Sequence, residues 1–181
     1  MTGKKDLRII KTERAIHSAL VELLKEKDLE KITVSELSAR AEINKATFYL
    51  HYTDIYSLYQ EVMAKHIREI ISERGLLDNM LSDPEEFARR LISDFFNTEV
   101  MSKDTFFRNP NLIYNRTISY HICNVFTEQV ISSRMLPDTR ENVLKLEFFL
   151  TGVAFLRQNH SDDENELIVK ILADSIRNLF M

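Results

Sequence analysis

Residues 32–52 read ITVSELSARAEINKATFYLHY. Two chemistries collide in the last nine positions. Asn44, Lys45, Thr47 and His51 do not suit a core helix, and Phe48, Tyr49 and Tyr52 do not suit a solvated one. A helix with a core on one side and a polar groove on the other accommodates both sets. Thr33 and Glu36 have capping-box spacing, which starts a short helix with Val34, Leu37 and Ala41 on its inner face. Residues 42–44, EIN, form a turn, and Asn44 is placed to cap the next helix, from about Lys45 to His51. On that helix Phe48 and Tyr52, four apart, lean inward, while Lys45, Thr47, Tyr49 and His51 look outward.

Upstream, Ile16, Ala19, Leu20, Leu23 and Leu24 recur at the spacing of one apolar helical stripe. Downstream, Asp54 is placed to cap a long helix that carries Ile55, Leu58, Tyr59, Val62 and Met63 to about Arg74, where Gly75 stops it. Two short helices joined by a three-residue turn, beneath a longer first helix, describe a helix-turn-helix. In that motif the second short helix offers side chains to the DNA major groove. Lys45 can bond guanine or phosphate. The Tyr49 hydroxyl and the His51 ring can bond phosphate, and Thr47 has both a hydroxyl and a methyl to offer.

The pattern T-V-x-x-[LI]-x-x-x-A-x-[VI]-x-K-x-T-[FL]-Y-x-[HY]-[FY] is met from Thr33 to Tyr52. Here the chain resembles the N-terminal domain of the tetracycline-repressor (TetR) family of bacterial transcription regulators, over roughly residues 9–65. The resemblance implies an all-α homodimer. Three helices would form the DNA-binding domain, residues 1–53, and a larger helical dimerisation and ligand domain would occupy residues 54–181. It further implies that Thr33 meets a phosphate and that Asn44, Lys45, Ala46, Thr47, Tyr49 and His51 form the DNA-binding face. Three positions depart from the family pattern. Glu42 stands where a turn glycine is frequent, and a left-handed backbone there would cost a glutamate about 1–2 kcal/mol. Ile55 stands where a lysine often touches phosphate. Ala46 replaces a frequent glycine and leaves a methyl to meet thymine.

The composition agrees with a helical chain. Of 181 residues, 44% are hydrophobic, enough for a core, and glycine and proline number only three each. Net charge is −4, yet residues 1–53 hold ten Lys/Arg against eight Asp/Glu, and residues 54–181 hold fourteen against twenty. The basic end is therefore the N-terminal one. Its tail supplies Lys4, Lys5, Arg8 and Lys11, either as phosphate or minor-groove contacts or as a solvated end. The single cysteine, Cys123, lies beside apolar neighbours and points to a reducing compartment and an inert thiol. No stretch approaches a membrane span or a signal peptide, so the expected location is cytoplasmic.

Beyond Gly75, Asp83 and Pro84 signal another helix start, and further helical stretches fit 85–98 and 112–133. Pro137 and Asp138 are expected to open a helix to about Asn159, and SDDE at 161–164 to cap the last one. The resemblance gives these last two helices to a twofold interface. On them, Leu146, Phe149, Leu150 and Val153, and then Ile168, Ile171, Leu172, Ile176 and Leu179, would meet the mate. A small-molecule effector pocket is expected among the middle helices, from Phe95, Tyr114, Ile118, His121, Ile122, Phe126 and Phe149, although aromatic residues at helical spacing also suit a plain core.

The sequence does not suit an enzyme. Its five histidines are scattered, no H-E-x-x-H, phosphate loop or nucleophile elbow occurs, and no metal or cofactor is expected. The expected function is a regulator, in the sense of a repressor, that binds a palindromic double-stranded DNA operator as a dimer and is released by an effector. The alternative is a DNA-binding regulator controlled by a protein partner.

Overall fold

A computed structural model of the chain describes residues 7–95, Phe106 and residues 116–181. The side chains of Asp94, Phe95, residues 116–121 and Gln158 lie outside that description. The described residues form α-helices and short 3-10 or π turns, with no strand among them. No helix among them is long and apolar enough to cross a membrane. The chain divides into two compact units, Met1–Met63 and Ala64–Met181.

The first unit begins with α1, Leu7–Glu26. The stripe Ile16, Ala19, Leu20, Leu23 and Leu24 is buried, as its spacing requires. A 3-10 turn at Leu29–Lys31 follows, with Leu29 buried. Helix α2 spans Val34–Arg40 and α3 spans Lys45–His51. The Thr33 hydroxyl accepts the Glu36 amide at 3.3 Å, which is half of a capping box. The other half is missing because the Glu36 carboxylate accepts from Lys27 at 2.7 Å. That ion pair ties the end of α1 to the start of α2. Helix α4, Ile55–Glu73, opens where Asp54 Oδ1 accepts the Ser57 amide at 2.7 Å. Its early residues Ile55, Leu58, Tyr59, Val62 and Met63 are buried, so the first compact unit runs ten residues past the sequence boundary of 53.

In the second unit α4 ends in a Schellman motif. The Leu76 amide donates to Ile71 O at 3.0 Å and the Gly75 amide to Ser72 O at 3.1 Å. Gly75 sits at φ +54, where a side chain is strained, and an added Cβ would meet Asp78 Oδ2 at 2.5 Å. We expect Gly75→Ala to destabilise this unit by about 1–2 kcal/mol, read as a lower denaturant midpoint at unchanged m-value. An unchanged midpoint would contradict the strain. Arg90 adds to the stop by donating to the carbonyls of Arg74 and Gly75.

Helix α5, Pro84–Arg90, starts at the Asp83 cap and passes into a π turn at Leu91–Phe95. Helix α6 spans Arg116–Ser132, α7 spans Arg140–Asn159 and α8 spans Asn165–Phe180. Helix α8 packs on α5 and α7, and α6 packs on α7. Phe87 and Phe126 meet edge to face at 6.3 Å, and Arg89 pairs with Glu166 to join α5 to α8.

Two expected starts move. Thr139, not Pro137 or Asp138, caps α7, because the Thr139 hydroxyl accepts the Asn142 amide at 3.2 Å while Pro137 O is taken by the Asn142 side chain. SDDE does not cap α8 either. It forms a 3-10 turn at Asp162–Glu164, and Asp162 accepts from the buried Arg157 at 2.9 Å. Arg157 also donates to Asn165 at 2.6 Å. That guanidinium holds the Asp162 carboxyl below the usual range.

Candidate nucleic-acid interface

Helix α3 is fixed from behind. Phe48 is fully buried and Tyr52, just past the helix end, is 7% exposed. The Tyr52 hydroxyl donates to Glu61 Oε1 at 3.2 Å and meets His17 Nε2 at 2.8 Å. A phenol has one proton, so the His17 Nε2 must carry the hydrogen in its bond to Tyr52. Burial, followed by the charge of Glu61, raises the Tyr52 pKa. The hydroxyl therefore stays protonated and tethers α3 to α1 and α4.

The start of α3 is fixed as well. Asn44 Oδ1 accepts from the Thr47 amide at 2.7 Å and from the Thr47 hydroxyl at 2.9 Å. Both polar groups that sequence reasoning offered to DNA are thus engaged in the cap. Before them, Glu42 adopts φ 54, in the left-handed region. Of the two outcomes the sequence left open at this turn, the strained one is realised. We expect Glu42→Gly to stabilise the domain by roughly 0.5–1 kcal/mol, the strain relieved less the extra chain entropy of glycine. A midpoint that falls on substitution would sink this account.

Successive residues turn about 100° on a helix, so α3 shows three different sides. Lys45, Ala46, Tyr49 and Leu50 are exposed, Thr47 and His51 are half-buried, and Phe48 is buried. His51 is less outward than its sequence suggests: its side chain is 14% exposed and its Nδ1 lies 3.7 Å from Glu13 on α1. Leu50 is the residue that sequence reasoning missed. It is 84% exposed, although leucine in a helical pattern usually reads as core. Its place on the wheel beside Ala46, opposite Phe48, was the available signal.

Helices α1 and α2 complete the surface. Thr33, the exposed cap of α2, lies at that helix's start. Arg40 at its end donates to Glu26 at 2.9 Å and to Glu22 at 3.3 Å. Those acids occupy Arg40, whereas Lys45, Lys11 and Arg14 make no ion pair among the described residues. Lys4 and Lys5 lie outside the described residues. An open groove of about 550 Å³ separates Arg8, Ile9 and Thr12 of α1 from Asn44, Thr47 and Leu50 of the turn and α3.

Hydrogen bonding to Arg40 holds the Glu26 carboxyl below its ordinary value of 4.5. A depressed acid contributes stability above that value and loses it as pH falls toward the folded-state pKa. The melting temperature should therefore drop below about pH 4.5, and Arg40→Gln should flatten that drop. Parallel curves for the two proteins would contradict the pairing.

The profile of the tetR family of bacterial regulatory proteins matches residues 16–62, which run from the middle of α1 into the first half of α4. Residues 16–62 are thus similar to the DNA-binding domain of the tetR family. A relative, the uncharacterized HTH-type transcriptional regulator YxbF of Bacillus subtilis (strain 168), is 33% identical over 84 residues. That match spans 46% of this chain and only 21% of YxbF. The fold is shared with the TetR family repressor AlkX from Dietzia sp. strain DQ12-45-1b, implicated in biodegradation of n-alkanes. The TM-score is 0.60 at 16% identity, over 92% of this chain and 97% of that one. A protein assigned to the TetR-family transcriptional regulators from Mesorhizobium loti MAFF303099 superposes at TM-score 0.50 and 18% identity, over 96% and 98% of the two chains. The described residues are thus all-helical, and residues 16–62 carry a helix-turn-helix of the tetR type.

The second unit revises the expected contact residues. Leu146, Phe149, Leu150 and Val153 of α7 are buried inside the subunit, as are Ile168, Leu172 and Ile176 of α8. Leu179 is half-buried, and Ile171 is 45% exposed. The stripe assigned to a mate is therefore the inward one. The outward stripe of α7 is Leu144, Phe148, Gly152 and Phe155, with Phe148 73% and Phe155 61% exposed.

Of the expected pocket, Tyr114 lies outside the described residues, as do the side chains of Phe95, Ile118 and His121. Ile122, Phe126 and Phe149 are buried core. A surface cavity of about 300 Å³ lies elsewhere, lined by Ile71, Ser72, Gly75, Leu77, Gln129 and Ser133 among others. Cys123 is half-buried, and burial pushes its thiol up to about 11, which keeps it protonated and unreactive at neutral pH.

Proposed function

We propose that the chain is a repressor that binds a near-palindromic operator as a homodimer and releases it when an effector occupies the C-terminal unit. The observation that carries the reading is the outward side of α3. A helix pinned by Phe48, Tyr52 and the Asn44 cap presents Lys45, which makes no ion pair among the described residues, and Tyr49, 58% exposed. Lys45 reaches guanine or phosphate, and the Tyr49 hydroxyl reaches phosphate. Thr33 adds a backbone contact from α2, Ala46 offers a methyl, and Thr47 and His51 flank the groove side.

A twofold pair supports two recognition helices about 34–36 Å apart, the spacing of successive major-groove half-sites. The apolar stripe Leu144, Phe148 and Phe155 suits such an interface, and Gly152, whose Cβ position is open space, permits close approach. Charge placed there is incompatible with an apolar contact. We expect Phe148→Glu with Phe155→Glu to sediment as a monomer and to bind DNA far more weakly, with the helical signal kept. A dimer that survives both substitutions would refute this interface.

The effector reading is tested by thermal shift of the purified full chain against a compound library, because a ligand that binds the native state raises its melting temperature. An effector should also displace the operator. Compounds that do neither, together with a protein retained in a pulldown that does, would replace the small ligand by a protein partner.

A further inference from the structure

The outward side of α3 consists of two columns. Lys45 and Tyr49, four apart, form one, and Ala46 and Leu50, four apart, form the other. The second column is wholly apolar. At 84% exposure, Leu50 is the most exposed large apolar side chain among the described residues. Phe48 on the opposite side already anchors the helix, so Leu50 has no part in the core. Neighbouring charge identifies what covers it. Lys45, Lys11 and Arg14 make no ion pair among the described residues of the same unit, which favours a polyanion over an apolar protein surface.

In the DNA major groove the apolar group among the base edges is the thymine 5-methyl. We infer that Leu50, with Ala46 beside it, is a specificity-determining residue that reads thymine methyl groups in each half-site. The inference rests on the proposal that α3 enters the major groove. Four residues of helix rise about 6 Å, so the two side chains address bases within about two steps of one another. Lys45 and Tyr49 hold the adjacent column, which places the thymines next to a guanine or phosphate contact rather than across the groove from it.

The test starts with selection of duplexes from a random library by the full-length protein. In the selected site, each thymidine is then replaced in turn by deoxyuridine, which removes the methyl and keeps the base pair. The expected result is a loss of about fourfold in affinity at one or two positions per half-site, the worth of one buried methyl-sized group. Leu50→Ala, whose melting curve should superimpose on that of the parent, should lose sensitivity at the Leu50 position and keep the parent's salt dependence. Uniform indifference to deoxyuridine, or a Leu50→Ala protein as sensitive as the parent, would overturn the methyl readout while leaving DNA binding intact. A library with no enriched duplex would overturn the DNA reading, and this inference with it.

Discussion

The double substitution Lys45→Ala with Tyr49→Ala should abolish sequence-specific binding and leave the protein folded. Both side chains are exposed, and Lys45 makes no ion pair among the described residues, so their removal leaves the core intact. Substitutions of this kind cost within about ±0.5 kcal/mol of stability. Binding behaves differently. If each of the two side chains is worth about 1 kcal/mol to DNA binding and a dimer carries four of them, affinity falls on the order of a thousandfold. The measurement pairs operator titration with a circular-dichroism melt. Retained specific affinity in the folded double mutant would remove α3 from the interface. The salt dependence adds a second readout, because each phosphate that is no longer neutralised reduces the slope by about 0.9.

Phe48→Ala should have the largest effect on stability. Phe48 is fully buried, and its ring packs 5.4 Å from Tyr49 and 5.9 Å from Tyr52. Truncating such a phenylalanine costs about 3–5 kcal/mol in transfer and cavity terms. A helix of seven residues has little stability of its own, so α3 depends on this ring for its existence as well as its angle. Denaturant unfolding followed by helical signal should show the loss in the first unit. DNA binding should weaken with it, in proportion to the native fraction lost. Saturating DNA should restore part of the lost stability, since it binds only the native form. A loss below about 1 kcal/mol would mean that the site collapses around the gap, against the close packing of the ring.

Lys45, Phe48 and Tyr49 share one short helix, and with its neighbours that helix also shows what a sequence can and cannot disclose. The anchors of α1 and α4 were readable because their apolar stripes are one-sided. The caps at Asn44, Asp54 and Asp83 were readable because an N-cap is a local event between residues three apart. Helix α7 resisted the same reasoning. It is apolar on two sides, with Leu146, Leu150 and Val153 inward and Leu144, Phe148 and Phe155 outward, and periodicity alone does not say which stripe meets its own subunit. At the end of α7 the acids of SDDE looked like a cap until Arg157, a residue from the preceding helix, claimed Asp162. Glu36 left its capping box for Lys27 in the same way. Pairings across elements override local patterns, and they were invisible until the helices were placed.

Glu42 occupies a left-handed turn immediately before α3, with an exposed carboxylate that lines the groove beside Asn44. Strain and charge therefore act in the same direction at this position: the residue strains the backbone, and its carboxylate would repel a phosphate brought to the groove. Ordinarily a protein trades robustness against grip. Here a single transition in the second base of the codon turns glutamate into glycine and relieves both. In a population selected for survival at higher temperature, this turn is an accessible first step, open to one mutation and needing no compensating change.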